Sequence, residues 1–300
     1  MTPAGDALRY ALVTPVRNEA ENLLRLAESV LAQTVLPERW VIVDNGSTDD
    51  TPARARSLAE SHPWIELLSI PGEPEPERGA PIVRAFTAGL EALPDRPDVV
   101  VKLDADVSFP PDHFERLLAR FAADPALGIA SGICLERDGD GWRARHSTRG
   151  HVRGAVRAYR SRCLDAVLPL EPRMGWDGID ELKAATLGWR TATIAEIPFF
   201  HHRPLGGREP ATRMWRRQGE MAHYLGYRPS YLVARALYRA LREPSAVAML
   251  AGYAASALRR RPRYEDAAVR AWLRREQSVR RLPARVREAL GRPEAGGPGP

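Results

Sequence analysis

Cysteine is nearly absent: Cys134 and Cys163 are the only two in 300 residues. A disulfide framework is therefore excluded, and neither cysteine has the clustered partners of a structural zinc site. No apolar stretch reaches the ~20 residues that a membrane span requires. Residues 245–258 run uncharged for fourteen positions, too short to cross and suited to a core or interfacial helix. Near the N-terminus Arg9, Arg17, Glu19 and Glu21 interrupt what would have to be the apolar core of an export signal. The expected location is the cytoplasm. No internal repeat is present, and at 44% hydrophobic content the chain can bury a full core. Acid is scarce in one region: residues 201–300 carry 21 basic and 8 acidic side chains, against 23 and 30 in residues 1–200. A basic half fits nucleic acid, anionic lipid or a phosphate-bearing substrate. These arginines form no recognisable nucleic-acid reading motif, so no nucleic-acid partner is expected.

What is present begins with an alternation. Apolar β-rich runs at 10–13, 40–43, 65–70 and 99–103 are separated by helical patterns at 23–31, from Thr51-Pro52, and at 79–93. Strands and helices in this order predict an α/β fold with a doubly wound, mostly parallel sheet and ligands at the carboxyl ends of its strands. Three polar elements follow such ends: Thr14-Pro15-Val16-Arg17-Asn18-Glu19, Asp44-Asn45-Gly46-Ser47-Thr48-Asp49, and Asp104-Ala105-Asp106. Beyond them a helix is expected at 114–121 and strands at 129–135 and 154–159. Residues 138–150, rich in Gly, Asp and Arg, read as an excursion between those strands.

Alternate side chains of a strand share a face, so Asp104 and Asp106 converge on one cation if extended geometry continues past Leu103. Hard divalent ions prefer such oxygen ligands together with substrate phosphates. The alternative is an acidic turn, which Asp-x-Asp forms equally well. Asp44 can accept hydrogen bonds from a nucleobase, or cap its own Asn45-Gly46 turn.

Together, these four segments, with the Gly79-bearing helix start as the fourth, resemble the family 2 glycosyltransferases over about residues 8–240. The resemblance implies a GT-A fold of Rossmann-like type and transfer of a sugar from a nucleoside diphosphate to a hydroxyl of a glycan or lipid-linked acceptor. It implies Mn²⁺ or Mg²⁺ held by Asp104 and Asp106 with His202, and a donor site containing Thr14, Pro15, Arg17, Glu19, Asp44, Asn45, Arg78, Gly79, Asp104, Ala105 and Arg203. Arg208 and Arg213 are further phosphate candidates. A base is needed because a neutral sugar hydroxyl is a poor nucleophile. The resemblance implies Glu-Asp at the corresponding helix start, and counting back without gaps from Leu182-Lys183 and Gly188 places Asp177 there with Trp176 in place of the glutamate; Asp180, one turn on, is the alternative. Inversion at the anomeric carbon follows by analogy. The rivals are a sugar-nucleotide or glycan-binding protein that has lost its base and, lacking a glycine-rich phosphate loop, a nucleotidyltransferase.

The expected organisation is a GT-A domain over 1–230, with nucleotide-sugar binding at about 8–110 and the acceptor side at 111–230. A basic helical extension follows at 231–290 and a disordered tail at 291–300. Residues 245–258, followed by Arg259-Arg260-Arg261, place that extension at the inner face of a membrane, or pair Val247, Leu250 and Tyr253 with Trp272 and Leu273 in a helical hairpin.

Overall fold

The computed structural model of the protein describes residues 8–72, 79–144, 151–203 and 210–278. The chain divides into two compact units, residues 1–204 and 205–300.

The first unit opens with β1 (Tyr10–Val16), α1 (Ala20–Leu31), β2 (Arg39–Asn45), α2 (Thr51–Ser61), β3 (Ile65–Ile70), α3 (Ala80–Ala92) and β4 (Val99–Leu103). It continues through β5 (Val107–Ser108), α4 (His113–Ala123), β6 (Leu127–Asp138), β7 (Gly141–Ala144), β8 (Val156–Arg160), α5 (Ser161–Val167), α6 (Trp176–Thr186) and β9 (Arg190–His201). The strands form one sheet in the order β3-β2-β1-β4-β8-β6-β9-β5, with β7 paired to β6. The first four are parallel, and β8 enters antiparallel to β4. Along β1, Tyr10 and Leu12 join a layer containing α1 and α4, while Ala11 and Val13 join one containing α3, α5 and α6. Alternation along a single strand thus builds a core on each face, which is the doubly wound arrangement expected.

Three local readings change. Thr14 and Pro15 belong to β1 and not to the loop after it, because β1 keeps parallel register with β2 through Val16↔Asp44. The β1–β4 register ends at Val13, so Pro15 sits where the strand has β2 alone beside it and its missing N–H is tolerated. Extended geometry does not persist past Leu103: residues 104–106 form a turn between β4 and β5. Within 138–150, residues 141–144 are β7, hairpinned onto β6 from Asp138↔Gly141 to Leu135↔Ala144; residues 145–150 lie outside the described part.

Because β2, β1 and β4 run parallel, their carboxyl ends deliver Asp44, the loop at 17–19 and Asp104 to one edge of the sheet. Antiparallel β8 starts at that same edge, where Val156 pairs with Leu103 and the Asp104 amide donates to Ala155 O at 2.8 Å.

The second unit contains α7 (Ala211–Tyr224), α8 (Pro229–Ala240), a 3₁₀ turn at Pro244–Val247, α9 (Ala248–Leu258) and α10 (Ala267–Glu276). Trp215, Ala222, Leu232, Ala246 and Met249 form its core. The uncharged stretch at 245–258 packs on α7. Gly219 and Gly252 let those two backbones touch: a Cβ on either would lie 1.9 Å from a carbonyl oxygen of the other helix. Among the described residues no helix is long and apolar enough to cross a membrane.

Candidate active site

The loop after β1 is stitched to the loop after β2. Asn18, at φ 56°, accepts from the Thr48 amide at 2.7 Å through Oδ1, and its own N–H donates to Ser47 Oγ at 2.9 Å. The Glu19 N–H donates to Thr51 Oγ1 at 2.8 Å. Asp44, buried at the end of β2, accepts from the Ser47 amide at 3.2 Å with Oδ1. It therefore does cap its turn, one bond that leaves further acceptor capacity on the carboxylate. Asn45 is buried beside it and Arg17 is exposed on the loop. Thr14 is fully buried, with its Oγ1 accepting from the Trp40 indole at 2.9 Å, so it holds the sheet together and does not face the edge cleft.

Gly79 caps α3 at φ 92°, and a Cβ there would sit 2.5 Å from Arg173 O. Glycine is required on both counts. It brings the start of α3 against the segment leading into α6. Arg78 and Arg208 lie outside the described residues, and Arg213 belongs to the second unit.

The turn at 104–106 brings its two acids close enough to interact. Asp104 is raised above the ordinary carboxylate range by burial and by the Asp106 charge, against the pull of Lys102. For Asp106, burial is outweighed by its close pairing with His201, with Arg203 and Lys102 adding to the stabilisation, so its pKa is lowered. Ala105 is buried between them. Asp106 Oδ1 is buried without a hydrogen-bond partner, and His201 Nε2 stands 3.3 Å from it. An orphaned buried carboxylate oxygen with an imidazole beside it and a second carboxylate within electrostatic reach fits a divalent cation. Among the described residues, the trio whose donor atoms lie within 4.8 Å of one another is His201 with Cys134 and Glu136, a set that includes neither Asp104 nor Asp106.

The expected histidine changes. His202 Nε2 is hydrogen-bonded to Ser108 Oγ at 2.8 Å and its ring meets Trp142 edge-on at 5.3 Å. The two histidines are adjacent on an extended backbone and point opposite ways, and it is His201 that faces the acids. Arg203 meets carboxylates: its Nη2 donates to Glu19 at 2.7 and 2.6 Å, and its Nε lies 3.6 Å from Asp106.

Asp180 is sealed. It is 1% exposed, with Oδ1 held by Arg157 Nη2 and Oδ2 by Arg157 Nε at 3.0 Å and by the Tyr159 hydroxyl. Burial pushes its carboxyl up, to about 7, against the opposing Arg157 charge. No acceptor hydroxyl can reach it. Asp177, one turn earlier, is half-buried in the first turn of α6, and its backbone carbonyl accepts from Arg157 Nη2 at 2.7 Å. A Cβ on Gly154 would lie 3.3 Å from Asp177 Oδ2. Lys102, itself buried, donates to Asp104 and, at 2.7 Å, to Gly154 O. A short path, Asp104–Lys102–Gly154–Asp177, therefore joins the two acidic ends of the cleft.

Lys102 and Arg157 were missed from the sequence, although Lys102 offered a signal: a lone cation within an apolar strand is rarely buried without a partner. Trp176 lies 5.6 Å from Lys102 and 5.7 Å from Arg157 by ring centroid. It packs between these two cations.

With this geometry in place, comparison with known proteins is informative. Residues 11–168 match the family described as glycosyl transferase family 2. An undecaprenyl-phosphate 4-deoxy-4-formamido-L-arabinose transferase from Sodalis glossinidius is 30% identical over 212 residues, 64% of this chain and 60% of that protein. The Enterobacter protein of the same name is 29% identical over 192 residues, 58% and 55%. The chain thus spans somewhat over half the length of these curated relatives. Among solved structures, a mannosyltransferase from Pyrobaculum calidifontis in complex with GDP-Man and Mn²⁺ superimposes with a TM-score of 0.56 at 20% identity, over 95% of this chain and 88% of that one. Residues 1–349 of S. aureus TarS with UDP give 0.53 at 13% identity, over 70% and 64%. These likenesses establish the GT-A fold.

Proposed function

The chain belongs to glycosyl transferase family 2, and from that premise we propose that it transfers a sugar from a nucleoside diphosphate donor to an acceptor hydroxyl, with inversion and with a divalent metal. The observation that carries this reading is the gathering of Asp44, Asp104, Asp106 and a half-buried Asp177 around the carboxyl ends of parallel β2, β1 and β4. Asp44 and Asn45 bind the nucleobase, and the loop at 17–19 lines the nucleoside. Asp104, Asp106 and His201 hold Mn²⁺ or Mg²⁺, His201 taking the place first given to His202. When bound, the ion supplies Lewis-acid stabilisation of charge on the departing diphosphate. Arg203, now paired with Glu19 and Asp106, is within reach of the same phosphates.

Asp177 takes the proton from the acceptor hydroxyl as it attacks the anomeric carbon. One base on the face opposite the leaving group gives direct displacement and inversion. Trp176 does not signal a lost base, because the carboxylate beside it remains accessible while the indole packs between Lys102 and Arg157. The names of the relatives in Sodalis and Enterobacter favour a lipid-linked acceptor, and so a peripheral position at the inner face of a membrane.

The test is transfer or hydrolysis of nucleotide sugars with Mn²⁺, run on the intact chain and on Asp177→Asn. The variant should lose about 10²–10⁴-fold in kcat while keeping its thermal stabilisation by nucleoside diphosphate and Mn²⁺. Unchanged turnover removes Asp177 from the chemistry; no turnover with any donor, alongside full nucleotide binding, favours the non-catalytic binder.

A further inference from the structure

Away from the site, α8 carries an unusual surface. Val233, Leu237 and Leu241, spaced four apart from α8 into the residue that follows it, fall on one stripe, with Ala234 and Tyr238 alongside. This stripe faces outward: Val233 is 43% exposed, Leu237 58%, Tyr238 37% and Leu241 83%. The opposite side, Leu232 and Ala236, fills the core of the second unit. From residue 228 to residue 242 there is no acid, and the charges are all arginine: Arg228, Arg235, Arg239 and Arg242. At about 100° per residue, Arg242 and Arg235 lie about 40–60° beyond Tyr238 on one side of the stripe and Arg239 lies on the far side of the helix from Leu237; Arg239 and Arg242 are exposed. Beside α8, the 3₁₀ turn exposes Val247 at 49%.

An exposed apolar stripe on an acid-free helix, bordered on one side by arginine, has two natural occupants, a second copy of the chain or an anionic lipid surface. A second copy is disfavoured on two grounds. The four side chains offer on the order of 400 Å², whereas a stable dimer needs about 800 Å² from each partner. Self-pairing would also set arginine against arginine. Anionic headgroups are complementary to those arginines, and an apolar ridge about 12 Å long matches the shallow insertion of an interfacial helix.

We propose that α8 is an interfacial membrane helix, with Val233, Leu237 and Leu241 entering the acyl boundary, Tyr238 at its margin and Arg242 beside it reaching anionic headgroups. This relocates the contact from residues 245–258, which are packed on α7, to a helix that the sequence reading did not single out. It rests on the lipid-linked acceptor proposed above, which gives such docking its purpose.

The experiment is cosedimentation of the full chain with vesicles of phosphatidylcholine alone and of phosphatidylcholine with one quarter phosphatidylglycerol, at 50 and 500 mM NaCl. The protein should bind the anionic vesicles, less at high salt. Leu237→Asp/Leu241→Asp should lower the partition at least tenfold, and Arg242→Glu should reduce its dependence on anionic lipid and salt. Thermal stabilisation by nucleoside diphosphate with Mn²⁺ should be the same in all three proteins, which shows that the variants fold. Loss of that stabilisation in the wild type, with vesicle binding intact, would sink the enzymatic reading and leave the helix assignment standing. Equal sedimentation of the wild type and Leu237→Asp/Leu241→Asp, or no sedimentation of the wild type, overturns the proposal. So does a wild-type dimer that the aspartates convert to monomer in light scattering, since the stripe then belongs to a second copy.

Discussion

Replacing Arg157 with methionine gives the sharpest test of how the cleft is held. The guanidinium is 0% exposed and reaches Asp180, the Tyr159 hydroxyl at 2.9 Å, Glu181 at 3.2 Å, and the backbone carbonyls of Asp177 and Val152. Methionine keeps much of the volume and none of the bonds, so Asp180 remains buried with an uncompensated charge. Breaking a buried pair in this way costs about 3–5 kcal/mol, from a total of about 5–15. At a urea slope of about 2 kcal/mol/M the midpoint should fall by about 1.5–2.5 M.

The loss should also depend on pH. Burial already raises Asp180 to about 7 with Arg157 present, and losing the arginine raises it further. A carboxyl whose folded pKa exceeds its unfolded value binds an extra proton when folded, so stability declines as pH rises through that window. The variant should therefore be less destabilised at pH 6 than at pH 8. Arg157→Met with Asp180→Leu removes both charges, and should be more stable than the single variant by several kcal/mol. Urea titrations followed by tryptophan fluorescence, with Trp176 beside the substitution, measure all of this. A single variant within about 1 kcal/mol of wild type, or a double variant no better than the single, would refute the reasoning.

Asp106→Ala should abolish Mn²⁺ binding in the presence of nucleoside diphosphate by calorimetry or electron paramagnetic resonance, His201→Ala should weaken it, and His202→Ala should leave it intact; equal effects for the two histidines would return the question to the sequence. Gly252→Ala should destabilise the second unit by about 1–3 kcal/mol or more, because the new methyl meets Arg216 O; an unchanged melting profile would contradict the close approach of α7 and α9. His151 is raised above its usual pKa by its hydrogen bond to Glu181. That pairing stabilises the fold below the ordinary histidine pKa and fades as pH rises through the raised value. The His151 resonance should titrate above 6.5 in wild type and move down in Glu181→Gln.

Much of the frame was legible because it is written in local periodicity. The runs at 65–70 and 99–103 became β3 and β4 with the same bounds, and Asp44 and Asp104 stand at strand ends as expected. Readings failed where a residue's surroundings come from elsewhere in the chain. Thr14 looked like a loop hydroxyl until Trp40 claimed it, and Asp104–Asp106, open in the sequence to either extension or a turn, forms the turn because β5 leaves to pair with β9.

The sequence by itself determined which chemical groups reach one edge of the sheet, since parallel strands of fixed order carry their terminal residues there whatever the packing. Only the tertiary structure decided which of those groups are usable. Asp177 and Asp180 are a single helical turn apart and chemically identical, and what separates them is Arg157 on β8, whose bonds seal one carboxylate while the other stays half-buried. His201 and His202 are likewise interchangeable in one dimension. Strand pleating turns one toward Asp106 and the other toward Ser108, and desolvation and partnership, which are properties of a place in space, are assigned accordingly.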